Sequence, residues 1–324
     1  MEHLSASEIQ SHLGLSDRCR DWLERIAAAG DVDDVVLPDD ASANSLLLSL
    51  GVEAPDRDAC LAGRPDRGQH PALWWLLRYA HHEIVANLGR NLAGGWYTGW
   101  PSLPKSLGPV GRMVLVWALL AAAPRTRRFH QERGIPPEVS EATVSAVGTD
   151  LSFWRAVTGL PGITATWTLP LVFNGASYRL GRHMFDRDGS RLNVHVPAGG
   201  PLDPAVSQAS FDWARTFFPR HFPEDAIATF VCHSWLLDEQ WAEYLPETSN
   251  IMQFQRRFSV GADGHRERGD NDILLYVFGR ESDGPTPSRE LLNSLPQDTT
   301  LQRAYVRHLE RGGHWWTRDG WFSV

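Results

Sequence analysis

The chain has 324 residues, 42% hydrophobic and 22% charged, the proportions of an ordinary soluble globular protein long enough for two domains. Its net charge of −8 argues against nucleic acid as a partner, since that polyanion selects basic surfaces. Cys19, Cys60 and Cys232 are odd in number, far apart and without C-x-x-C spacing, so neither a disulfide framework nor a zinc site is expected, and a reducing, cytoplasmic setting is.

In chain order, the first residues lack a basic or apolar leader, so no signal peptide is expected. Ser5-Ala-Ser-Glu8 has the form of a capping box before a short helix, and residues 21–29 predict a helix stopped at Gly30. Pro71 opens a helix through Ala86, with Leu73, Leu76, Leu77, Ala80 and Ile84 on one face. His81-His82-Glu83 lies within it. Helical neighbours do not share a face, so exposed or capping roles are expected there, and no metal. Residues 94–101 form a glycine and tryptophan loop in which Trp96, Tyr97 and Trp100 are candidates to wall a substrate site. Helices follow over 112–123 and 126–133, separated at Pro124-Arg125. The apolar run 113–123 falls short of the roughly 20 residues that span a bilayer, which predicts a buried helix and no membrane. Arg125, Arg127 and Arg128 read as solvated surface, or as contacts for an anion. Pro136-Pro137 breaks the chain. It marks the expected boundary between a helical domain over 1–136 and a second domain over 137–324, which opens with a helix over 138–157.

Beyond Gly162 the hydrophobic period changes. Strands are predicted over 164–173, 177–185 and 191–196, with 186–190 as an Asp-Gly hairpin turn. The loop Pro197-Ala-Gly-Gly-Pro201 then hands into a helix over 204–218, capped by Asp203 and opened by Pro204. Val206, Ala209, Trp213 and Phe217 recur at helical spacing and predict its buried face. A strand, a glycine loop and a helix start leave backbone N–H groups where a phosphate can sit, although neither a P-loop lysine nor G-x-G-x-x-G spacing is present. A strand over 226–232, a short helix from Asp238 to Leu245, strands over 251–260 and 272–278 joined by a hairpin at 261–264, and a helix over 301–310 complete the expectation.

Chemistry concentrates at two strand ends. Cys232-His233-Ser234 sits where open α/β sheets keep their sites, and the imidazole of His233 is a side chain of the type that serves as a base near neutral pH. Adjacent strand residues point to opposite faces, so Cys232 and His233 do not form a nucleophile–base pair. His195 ends the strand before the glycine loop.

Six segments carry a resemblance: His130-Gln-Glu-Arg-Gly-Ile-Pro136, Tyr178-Arg-Leu-Gly-Arg182, His195-Val-Pro-Ala-Gly-Gly200, Cys232-His-Ser-Trp-Leu-Leu-Asp238, Ser249-Asn-Ile-Met-Gln-Phe-Gln-Arg-Arg-Phe258 and Leu295-Pro-Gln-Asp-Thr-Thr-Leu-Gln302. Together they resemble a bacterial two-domain acyltransferase family, with a helical N-acyltransferase N-terminal domain and a GNAT-like C-terminal domain. The resemblance implies an α+β fold whose second domain is a mixed, mostly antiparallel sheet with flanking helices. It implies a coenzyme A thioester as co-substrate, or a phosphopantetheine carrier, with transfer of the acyl group to a small amine or peptide by direct attack. In such folds the pantetheine arm lies between two splayed strands and the diphosphate on loop amides. That implies cofactor contacts at Val196, Ala198, Gly199, Gly200, Cys232 and Ser234. Catalytic roles fall to His195, His233 and Tyr244, the tyrosine as proton donor to the leaving thiolate. The loop departs from the usual GNAT pattern of Gln or Arg, two residues, Gly, one residue, Gly or Ala, and Pro201 removes a donor. A non-catalytic acyl-CoA or metabolite sensor on the same fold is the alternative, and a thiol or serine hydrolase through Cys232 or Ser234 a third reading.

Overall fold

The computed structural model describes residues 4–97, 99–163, 166–261 and 266–324. The chain divides into two compact units, Met1–Tyr178 and Arg179–Val324. The division falls later than Pro136-Pro137, because the helices after those prolines pack with the helices before them.

The first unit is helical: α1 (Ala6–His12), α2 (Arg20–Ala27), α3 (Asp40–Ser49), α4 (Ala54–Ala62), α5 (Pro71–Ala86), α6 (Gly108–Glu132), α7 (Pro137–Val144), α8 (Ala146–Thr158) and α9 (Thr168–Phe173). Ser5 and Glu8 make the expected reciprocal cap on α1. Among the described residues one helix, α6, is long and apolar enough to cross a membrane, and most of its apolar stretch lies inside the unit, with Met113 through Leu120 all buried. Pro124 sits within α6 rather than ending it, since α5 and α9 pack along the helix and one missing backbone bond is tolerated. The predicted helix over 138–157 is two helices that meet at Ser145. The strand expected over 164–173 is helical from Thr168 onward, and Thr164 and Ala165 lie outside the described residues.

The second unit is built on a sheet of β1 (Ser177–Leu180), β2 (His183–Asp188), β3 (Arg191–His195), β4 (Thr229–Ser234), β5 (Ser259–Val260), β6 (Arg266–Arg268) and β7 (Trp316–Ser323), in the order β1-β2-β3-β4-β7-β5, with β6 also on β7. Gly181-Arg182 divides the strand predicted over 177–185. Residues 186–188 belong to β2 rather than to a turn, and the turn is Gly189-Ser190. β3 and β4 pair in parallel, and parallel neighbours need a crossover, here α10 (Pro204–His221). Phe211 of α10 lies 5.1 Å from both Phe230 and Phe322 and 5.9 Å from Phe185, so the sheet's inner face is an aromatic core. The buried face of α10 carries Ser207, Ser210, Phe211, Ala214, Phe217 and Phe218; of the predicted stripe only Phe217 is buried, and Val206, Ala209 and Trp213 face outward.

The strand predicted over 251–260 is helix α11 (Asn250–Gln255) at its start and strand only at its end, in β5, and that over 272–278 is helix α12 (Asp270–Phe278); α13 (Arg289–Ser294) and α14 (Thr300–Glu310) follow. Ser249 caps α11, and α12 ends on left-handed Gly279 at φ 63°. The apolar runs suited either period, and the caps decided the outcome. The hairpin expected at 261–264 lies outside the described residues beyond Gly261.

Candidate active site

Registered pairing between β3 and β4 ends at Asn193 and Val231. Both strands continue past that point, β3 to His195 and β4 to Ser234, which opens a splay whose backbone groups are not paired with each other. Side chains alternate along each strand, so His195 and His233, each two residues beyond the last pair, stand on the same sheet face at the mouth of the splay.

Each histidine has its own carboxylate. His195 Nε2 lies 2.6 Å from Oδ2 of Asp186, which is buried on β2, while the His195 side chain is 38% exposed. Burial alone lowers the His195 pKa, but the charge of Asp186 and its hydrogen bond outweigh this, and the imidazole is shifted upward. With Nε2–H donated to Asp186, the neutral ring carries its lone pair on Nδ1. On β4, His233 Nδ1 lies 2.6 Å from Oδ1 of Asp319, its register partner on β7, and Glu267 Oε2 stands 3.7 Å from Nε2. Neither Asp186 nor Asp319 was singled out as a site residue in the sequence: the first was read as a turn, and the second lies on a strand that was not predicted.

The other candidates on this unit separate. Cys232 points into the core, and burial, then the charge of Asp319, pushes its thiol up to about 12, so it is not a thiolate at neutral pH. Ser234 Oγ accepts the Leu236 N–H at 3.1 Å as a cap, and among the described residues no base is hydrogen-bonded to the hydroxyl. Tyr244 is not at the splay strands: its hydroxyl meets His308 Nδ1 at 3.0 Å, beside Trp315, in a cluster with Trp241 and Tyr305. Val196 follows directly on β3, and Ala198, Gly199 and Gly200 are exposed in the loop. Gly199 and Gly200 have φ of +89° and +73°, which favour glycine. At the start of α10, Asp203 accepts the N–H groups of Ala205 and Val206 at 2.9 and 3.1 Å. Its carboxylate already fills the position an anion would take at that helix end, which leaves the loop amides for a phosphate.

In the first unit, Trp96, Tyr97 and Trp100 do not form an open wall. Trp100 is buried and its indole N–H donates to Glu83 Oε2 at 2.7 Å, while Trp22 donates to the same oxygen at 3.2 Å and Arg25 pairs with Oε1. Glu83 is therefore a buried hub rather than an exposed or capping residue. Tyr97 donates its hydroxyl to the Trp167 carbonyl at 2.5 Å, and half-buried Trp96 donates to the Asn91 carbonyl under Arg90. The exposed ring here is Trp167, packed so closely on Gly99 that a Cβ there would sit 2.4 Å from it.

Comparison with known proteins gives a consistent pattern. Residues 41–175 match the N-acyltransferase N-terminal domain family, and residues 146–322 match the GNAT-like C-terminal domain family. Among solved structures, an acyltransferase in complex with decanoyl-CoA is 36% identical, with a TM-score of 0.88 over 99% of this chain and 100% of that one. An acyltransferase bound to decanoyl-CoA and teicoplanin, and one bound to CoA and 10C-teicoplanin, match at 36% identity, a TM-score of 0.87 and the same coverage. No curated protein sequence matches the chain.

Proposed function

The chain belongs to the two-domain family that joins an N-acyltransferase N-terminal domain to a GNAT-like C-terminal domain, and from that premise we propose that His195, held by Asp186, is the base for its acyl transfer. The reaction moves an acyl group from a coenzyme A thioester to an amine. The amine nitrogen attacks the thioester carbonyl carbon, Nδ1 of His195 takes the proton that the amine loses, the C–S bond breaks, and the thiolate leaves with a proton. Strand N–H groups that face the splay are suited to stabilise the carbonyl oxygen as it gains charge. His233, held by Asp319 on the same face, supplies the proton for the departing sulfur; Tyr244 is engaged with His308 and does not take that role.

The pantetheine arm fits the splay between Val196 and Ser234, past the buried Cys232. The diphosphate fits the backbone amides of the loop over 198–202. The neighbours crystallised with decanoyl-CoA and with teicoplanin support a medium-length acyl chain and, as acceptor, the amine of a glycopeptide.

The observation that carries this reading is the His195–Asp186 pair at the end of β3. A hydrolase would need a nucleophile, and neither buried Cys232 nor capping Ser234 supports one. A non-catalytic sensor would have no use for two carboxylate-backed imidazoles on one face. The test is kcat/KM with decanoyl-CoA and an amine-bearing glycopeptide: His195→Ala loses roughly 10²–10⁴-fold, the contribution of a general base. Unchanged activity in that variant would remove His195 from the mechanism.

A further inference from the structure

The loop after β3 has prolines at both ends and no charged side chain of its own, so something else must hold its peptide planes. That group is Arg182, between β1 and β2. Its guanidinium donates to three loop carbonyls, Pro197 at 2.7 Å, Gly200 at 3.2 Å and Pro201 at 3.2 Å. No described peptide bond is cis, and in a trans peptide the carbonyl and the next N–H point in opposite directions. Drawing the Pro197 and Pro201 carbonyls onto Arg182 therefore turns the N–H groups of Ala198 and Leu202 away from it. Among the described residues neither of those groups has an acceptor.

Arg182 is itself fixed to α10. Its backbone N–H donates to Ser210 Oγ at 2.8 Å, and that hydroxyl donates to the Val206 carbonyl at 3.1 Å. Gly181 makes the approach possible: at φ +64° it turns the chain, and a Cβ there would lie 2.8 Å from Ser210 Oγ. A second guanidinium, Arg257, donates to the Pro204 carbonyl at 3.1 Å and to Gln208, holding the helix start in place. Two arginines thus brace carbonyls on either side of Asp203, in a chain whose net charge is −8.

We propose that Arg182 is a positioning residue that aims the Ala198 and Leu202 amides at the diphosphate of a CoA thioester. This rests on the acyl-CoA reading above and adds to it how a loop lacking the usual GNAT pattern keeps a phosphate grip. Lysine at this position would keep the charge but has one nitrogen in place of the planar fork, and it cannot hold three carbonyls in the same geometry.

Calorimetric titration of the full chain tests it, with two probes: CoA, which carries the diphosphate, and decanoyl-pantetheine, which does not. Arg182→Ala and Arg182→Lys both raise the Kd for CoA roughly tenfold or more, as expected when charge-assisted contacts lose alignment, and leave that for decanoyl-pantetheine within about twofold. CoA affinity restored by lysine would show that charge alone matters, and would overturn the positioning role. Equal loss for both probes would mean a general folding defect, and would overturn it too. A wild-type chain that binds neither probe would instead count against the acyl-CoA reading on which the proposal stands.

Discussion

The upward shift of His195 sets a direction for pH dependence. A base must be unprotonated to act, so kcat/KM rises with pH through a value above the ordinary histidine pKa of about 6.5. Asp186→Asn removes the charge that causes the shift, and the limb moves down while the rate falls. A pH–rate profile unmoved by that substitution would separate Asp186 from the base. The same coupling has a sign for stability: a raised pKa favours the folded state fully below about pH 6.5, and that contribution fades as pH rises through the folded value. Cys232→Ala retains most of the activity, since its buried thiol has no role in direct attack. A covalent acyl adduct on that sulfur, sought by mass spectrometry of the intact protein, would reverse this. For the tryptophans, Trp100→Ala deletes a buried ring and leaves Glu83 short of a donor, at a cost of about 3–5 kcal/mol of stability. Exposed Trp167→Ala costs far less. Urea denaturation of the two variants checks the ranking, and equal midpoints would refute it.

At the scale of elements, much was legible where periodicity and caps agreed. Pro71–Ala86 follows from its opening proline and apolar spacing, and the helix at Pro204 from its proline and the Asp203 cap, although the apolar stripe read on that second helix picked mostly its outward face. Runs rich in β-branched and aromatic residues misled, because Ile-Leu-Leu-Tyr-Val-Phe suits a strand as readily as one side of a short helix, and only Asp270 and Asp272 before it and Gly279 after it mark the helix. β7 is hidden for the opposite reason: Asp319-Gly320 looks like a turn, yet Gly320 lies within the strand because Leu237 and Phe258 leave no room for a Cβ, at 2.8 and 2.9 Å. Of the candidate site, His195, His233 and the glycine loop could be read from strand ends. Asp186, Asp319 and Arg182 could not, since each reaches its partner through register or a tertiary approach that spacing does not encode. Gly320→Ala should lower stability by about 1–3 kcal/mol through overpacking, measured by thermal or denaturant unfolding. An unchanged midpoint would mean that the neighbouring side chains give way.

At the scale of the whole molecule, three histidines among the described residues are held neutral. Burial lowers His81 and His130 to about 4 and His183 to about 3, with Arg125 and His82 adding to the first and Arg182 and other neighbouring charges to the last. Groups with depressed folded values contribute stability above the unfolded pKa of about 6.5 and lose it as pH falls toward the folded value. Below about pH 6.5 the contribution of His195 is complete and constant, and burial raises the carboxyls of Asp150, to about 7, and of Asp238 and Asp272, whose protonation favours the folded state, so the acid-dependent loss belongs to these histidines and should shrink in His183→Gln. A pH dependence of the denaturation midpoint that is unchanged in that variant would contradict this.

Acyl transfer by direct attack makes a stoichiometric demand that neither a sensor nor a hydrolase meets. The decisive measurement follows, in one reaction of the protein with decanoyl-CoA and an amine-bearing glycopeptide, both the free thiol released and the acylated amine by mass spectrometry. The account predicts equal amounts of thiol and N-acyl product with wild type and a collapse of both with His195→Ala. Thiol release without acylated amine, or acylation that persists without His195, would contradict it.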